Sequence, residues 1–173
     1  LRKPSRWRRM GSHLLTALLV VAVFAGVNAW RTRDVPSGVA PPVAGLLADG
    51  RPLTLQAWRD QHPGRAVALH FWAEWCPVCR AEAHTVTRVM QDHPVLTIAM
   101  QSGSPADVTR VLRARRLDWP ALVDTDGALT QRYGLPGVPA LVVLDAQGRI
   151  RFVEVGYTSE IGMRLRLWWA GRF

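Results

Sequence analysis

Apolar residues gather in runs whose period changes along the chain. Residues 66–73 (AVALHFWA) are almost continuously apolar, the pattern of a central strand covered on both faces. Residues 95–100 (VLTIAM) and 140–144 (ALVVL) repeat it, and 149–155 (RIRFVEV) alternates with period two. Helical spacing marks 53–61, closed by Pro63-Gly64. It returns in 77–91, where Val78, Ala81 or Glu82, Thr85, Val89 and Met90 recur at helical intervals. A third helix is expected over 105–116, with Val108, Val111 and Leu112 on one side, and a last one over 158–170. There Ile161, Leu165, Trp168 and Trp169 form an apolar stripe expected to pack into the core. Turn residues fall between these runs, at Asp49-Gly50, at Pro136-Gly137-Val138-Pro139 and at Ala146-Gln147-Gly148. Strand, helix, strand, helix, a strand hairpin and a final helix predict an α/β fold. Its mixed β-sheet is flanked by helices on both faces.

Ahead of this pattern, residues 14–30 (LLTALLVVAVFAGVNAW) are nearly all apolar and carry no charge. They follow a basic run and precede Arg31 and Arg33, which predicts an N-terminal transmembrane helix with its N-terminus in the cytoplasm. Val27-Asn28-Ala29 offers the alternative of a cleavable signal peptide. Either reading places the remainder outside the cytoplasm; with the anchor retained, it is the catalytic domain of a single-pass inner-membrane protein on its periplasmic side. The expected organisation is a basic N-terminus and anchor over 1–31, a Pro- and Gly-rich linker over 32–42, and one folded domain over 43–173.

The net charge of +9 suggests nucleic acid until it is divided along the chain. Arg2, Lys3, Arg6, Arg8 and Arg9 crowd the first nine residues, while from residue 31 onward 17 cations face 13 acids. That is a mildly basic globular surface, and the one cluster, residues 110–116, reads as the solvated face of a helix. No nucleic-acid partner is expected.

Both cysteines, Cys76 and Cys79, lie three apart. A disulfide framework needs more pairs, a structural zinc site needs a second pair of ligands, and Arg80 stands where a haem-attachment motif needs His. Redox chemistry remains. A strand ending at Trp75 and a helix starting at Pro77 put Cys76 at a helix N-terminus, where free N–H groups and the helix dipole favour a thiolate. Its pKa is expected below the free value of about 8.5. Cys79, on the same face of that first turn, is placed to resolve a mixed disulfide.

Residues 71–79 (FWAEWCPVC) closely resemble the active-site segment of the thioredoxin family, and 133–141 (YGLPGVPAL) resembles the segment with that family's cis-proline. With the predicted anchor, the chain is similar to the TlpA/DsbE-type branch, and its Cys-Pro-Val-Cys variant to the ScsD-type suppressor-of-copper-sensitivity proteins. The resemblance spans roughly residues 46–170 and implies a thioredoxin-like fold and protein disulfide oxidoreductase activity. Cys76 is then the attacking thiol and Cys79 the resolving one, with their redox-active disulfide in place of any cofactor. Pro139 is the cis-proline, and the Val138 backbone pairs with an extended substrate. Trp75 packs around the motif and contacts substrate. One departure concerns His70, which stands where thioredoxin keeps a buried acid that handles the resolving thiol's proton. His70 shares a strand face with Trp72. His70 and an exposed Glu74 are the candidate modulating residues, against the plainer readings of a core histidine and a solvated carboxylate.

The resemblance further implies partners: thiol or disulfide substrates among exported proteins, a membrane thiol reductant of the DsbD/ScsB type, and the lipid bilayer through the N-terminal helix. The competing function is a copper-binding or copper-delivery protein using the cysteine pair as a soft-metal clamp. His13, His62, His84 and His93 show no ligand spacing. His84 is near enough to Cys79 in sequence for a three-ligand copper site, but off the preferred helical face.

Overall fold

The computed structural model describes residues 6–173, apart from the side chains of residues 6–14, 17 and 24. The side chains of Arg2, Lys3, Arg6, Arg8, Arg9 and His13 therefore lie outside the described residues. The chain opens with α1 (Arg6–Arg31), followed by a hairpin of β1 (Ala44–Leu46) and β2 (Pro52–Thr54) and by the short helix α2 (Leu55–Asp60). Next come β3 (Val67–Trp72), α3 (Pro77–Val89), β4 (Val95–Met100), α4 (Pro105–Ala114), β5 (Ala121–Asp124) and α5 (Ala128–Arg132). The chain ends with β6 (Ala140–Leu144), β7 (Ile150–Val155) and α6 (Glu160–Ala170).

The main sheet has the order β5-β4-β3-β6-β7. Its first three strands are parallel, while β6 runs antiparallel to β3 and β7 antiparallel to β6. Every residue of β3 is buried, as its unbroken apolar run requires of a strand with elements on both faces. Alternation divides the core in two. Ala68 and Trp72 face Val86, Val89, Met163 and Leu167 on one side, while Val67, Leu69 and Phe71 face Leu55, Leu129 and Tyr133 on the other. This is the predicted α/β architecture, a mixed sheet flanked by helices.

Two short elements, β5 and α5, were not predicted. The buried carboxylate of Asp124 ties them together, accepting from Leu129 N at 3.0 Å, Thr130 N at 3.0 Å and Thr130 Oγ1 at 2.7 Å. The proline-rich segment before the domain is held against it. Tyr133 Oη donates to Pro41 O at 2.8 Å, Arg132 Nη1 donates to Pro42 O at 3.1 Å, and Val39 bridges Arg149.

The predicted transmembrane helix, and the single-pass inner-membrane location drawn from it, are overturned. Residues 14–30 do lie in α1, yet among the described residues no helix is long and apolar enough to cross a membrane. The apolar run 14–30 is 17 residues, at the short end of the roughly 17–25 that a hydrocarbon core requires, and Thr16, Gly26 and Asn28 interrupt it. The end of α1 instead lies along the edge strand β7, where Asn28 Nδ2 donates to Val153 O at 3.1 Å and Arg31 Nη1 to Val155 O at 3.5 Å. These donors serve strand carbonyls that a sheet edge otherwise leaves unpaired.

A second correction concerns α6. Ile161, Leu165, Trp168 and Trp169 are all exposed, and the helix is anchored through Met163, Leu167 and Ala170. The helix is apolar on both sides, so the pattern alone could not say which side turns inward. Leu167→Ala is expected to cost about 3 kcal/mol of unfolding free energy, and Leu165→Ala less than about 0.5 kcal/mol. Urea denaturation of the two variants side by side checks this, and equal losses would return the exposed stripe to the core.

Candidate active site

Strand β3 delivers the chain to the site. After Trp72 a three-residue loop leads to Cys76, whose extended backbone (φ −83°, ψ 114°) makes it the N-cap of α3. Pro77 follows at the first helical position, where its missing N–H leaves no bond unmade. The Sγ of Cys76 accepts a hydrogen bond from Cys79 N at 3.1 Å, so the helix start points a backbone donor at the sulfur. Cys76 and Cys79 are joined in a disulfide with their Cα atoms 5.3 Å apart. Cys76 is 4% exposed and Cys79 2%.

The loop before β6 comes alongside because β6 pairs antiparallel with β3, Ala140 lying opposite Phe71. The Val138-Pro139 bond is cis, and the carbonyl oxygen of Val138 sits 3.7 Å from Cys76 Sγ. On the other flank Trp75 is 56% exposed and its indole Nε1 donates to Gln101 O at 3.2 Å. Glu74 is exposed, its N–H donating to Ser102 Oγ at 2.9 Å and its carbonyl accepting from Arg115 Nη2 at 2.9 Å. Gln101 holds a left-handed backbone (φ +44°), which costs a non-glycine residue energy, so the loop after β4 is bent sharply under Trp75.

Beneath the cysteines lies a pair that sequence reasoning did not assemble. His70 Nε2 is 3.0 Å from Glu82 Oε2, both side chains being 1% exposed, and Glu82 Oε1 accepts from Thr158 N at 2.5 Å. Trp119 meets the His70 ring edge-on at 6.0 Å. His70 is thus not alone in its buried site: α3 supplies an acid, Glu82, a turn beyond Cys79, and His70 is its partner. Glu82 had a legible signal, an acid sharing the buried helix face with Thr85, Val86 and Val89. Gln101, Ser102 and Arg115 carried none, since their roles come from chain reversal far from the motif. His84 is exposed, away from the cysteines' face. Among the described residues no group of three or more His, Cys, Asp or Glu side chains is placed to hold a metal ion.

Fold and site together define a class, the thioredoxin-like proteins with a redox cysteine pair at a helix start, to which thiol–disulfide oxidoreductases belong. The chain belongs to the Redoxin family, whose family model matches residues 34–164. Over 106 residues it is 29% identical to a thioredoxin-like protein of Haemophilus influenzae, covering 61% of this chain and 63% of that one. Over 158 residues it is 28% identical to a DsbE homolog, a thiol:disulfide interchange protein of Paracoccus denitrificans, covering 86% and 87%. The crystal structure of a thioredoxin-family thiol:disulfide interchange protein from Chlorobium tepidum matches with a TM-score of 0.65 at 23% identity. That match covers 80% of this chain and 99% of that one, and bears on the fold alone. The chain spans between half and two-thirds of the length of the first curated relatives it matches.

Proposed function

We propose that this protein exchanges disulfides with exported proteins, Cys76 attacking and Cys79 resolving. The observation that carries the reading is the Cys76–Cys79 disulfide at the start of α3, with a helix N–H on the Cys76 sulfur and the Val138 carbonyl beside it. A substrate thiolate attacks Cys76 Sγ, the Cys76–Cys79 bond breaks, and Cys79 leaves as a thiolate that takes a proton from water. A second substrate thiolate then attacks the substrate sulfur of the mixed disulfide and releases Cys76. Two electrons have passed from the substrate dithiol to the protein, and every step runs equally in reverse. Substrate backbone lies against Val138 as an added strand, with Pro139 and Trp75 on either side.

Disulfides persist in oxidising compartments, which is why exported proteins are the assigned substrates. The Cys-Pro-Val-Cys motif supports an ScsD-like place, with a membrane thiol reductant of the DsbD/ScsB type returning electrons. The test equilibrates the protein in glutathione buffers and follows both cysteines by thiol labelling, alongside turnover with a reduced dithiol protein. A cooperative two-electron titration with turnover is expected. Stoichiometric Cu(I) binding by the reduced pair without any exchange would replace this reading with the metal clamp.

A further inference from the structure

Several arginines in this protein bond a carboxylate directly. Arg88 and Arg164 meet Glu160, Arg151 meets Asp145, Arg166 meets Glu154 and Arg110 meets Asp107. The two nearest the disulfide are arranged differently. Arg80 follows Cys79 in the first turn of α3, and its N–H donates to Cys76 O at 3.2 Å. Its side chain is exposed, and it joins none of the ion pairs among the described residues. Arg115, at the end of α4, reaches across to Glu74 O at 2.9 Å and comes within electrostatic range of Arg80. Burial and the Arg80 charge hold the Arg115 guanidinium below the ordinary arginine range, and Glu74 offsets this in part. Arg80 and Arg115 thus place two cations beside the redox centre, with the Glu74 charge acting on Arg115.

Around them the surface is apolar and open. Trp75 is 56% exposed and Val78 43%, while the Val138 carbonyl lies against the Cys76 sulfur. Like charges held together in the free protein are relieved when a partner brings the opposite charge, and such complementarity acts on encounter rate and partner choice. We propose that the surface over Cys76–Cys79 selects extended cysteine-containing segments that carry Asp or Glu next to the cysteine. The proposal rests on the exchange function above and names its substrate class. The cysteine reaches Cys76, its neighbours' backbone lies along Val138, an apolar side chain covers Trp75 or Val78, and the carboxylate settles between Arg80 and Arg115.

The test uses the full oxidised chain and three dithiol peptides that differ only in Asp, Ser or Lys beside the cysteines. Each rate of protein reduction is divided by the same peptide's rate with glutathione disulfide, which removes the effect of flanking charge on thiol reactivity. At low ionic strength the Asp peptide should react about five-fold faster than the Lys peptide, and the gap should close at about 0.5 M salt. Arg80→Gln should narrow the gap and Arg80→Glu reverse its order. Equal normalised rates for the three peptides, or an order untouched by Arg80→Glu, would overturn the proposal while leaving the exchange function standing. Failure of all three peptides to reduce the parent protein would sink the exchange function itself, and the proposal with it.

Discussion

Cys79→Ser is expected to convert the protein into a trap, accumulating mixed disulfides through Cys76 while turnover falls below about a thousandth of the parent's, roughly 4 kcal/mol. The argument rests on which sulfur the helix start addresses. Burial does not separate the two cysteines, which are 4% and 2% exposed. Hydrogen bonding does: Cys76 is the N-cap, its sulfur accepts the backbone N–H of residue 79, and the Val138 carbonyl lies 3.7 Å away. A thiolate at Cys76 keeps that donor and the helix dipole in the serine variant, because both belong to the backbone. Attack on a substrate disulfide therefore survives, while release, which needs the second thiol, does not. Cys76→Ser should form no adduct and show no exchange. Mass spectrometry of unreduced protein after incubation with a disulfide substrate reads both outcomes. Adducts on Cys79 in the Cys76→Ser variant would reverse the two roles.

The central fold was legible because buried strands advertise themselves. The run 66–73 has only one polar residue, and strands so apolar admit few placements other than the middle of a covered sheet. Strand β5 and helix α5 were not legible: at four and five residues they are too short for a period to show, and the buried Asp124 that joins them reads in sequence as loop. The α6 stripe misled for the opposite reason, since the helix has apolar residues to spare and the choice of buried side depends on α3 and β6. The same ambiguity governed residues 14–30. Length and apolarity suggest a bilayer, while the interruptions at Thr16, Gly26 and Asn28 suit a helix that covers a sheet edge. At the site, the cysteines and the Val138-Pro139 loop could be read directly because each is a contiguous motif. The His70–Glu82 pair could not, because strand and helix meet there only after folding.

That pair is also where single substitutions should be costly. His70 and Glu82 are both 1% exposed, and their contact at 3.0 Å is the one hydrogen bond that the His70 ring makes among the described residues. His70→Leu leaves Glu82 Oε2 buried without its donor, while Glu82→Leu strips the imidazole of its partner and orphans the backbone N–H of Thr158. Removing one member of a buried pair typically costs about 3–5 kcal/mol, because the survivor keeps its desolvation penalty and loses its compensation. Each single variant is therefore expected to unfold about 3 kcal/mol more easily than the parent. Replacing both by leucine removes the polar atoms together, so the double variant should lose about 2 kcal/mol less than the two single losses combined. It should still not regain the parent's stability, because Thr158 N remains without an acceptor. Denaturant unfolding of the four proteins in the oxidised state, with matched slopes, measures the coupling. If the two losses simply add, the contact contributes little, and the stability of this region comes instead from the aromatic packing of Trp72 and Trp119, which meet edge-on at 5.5 Å.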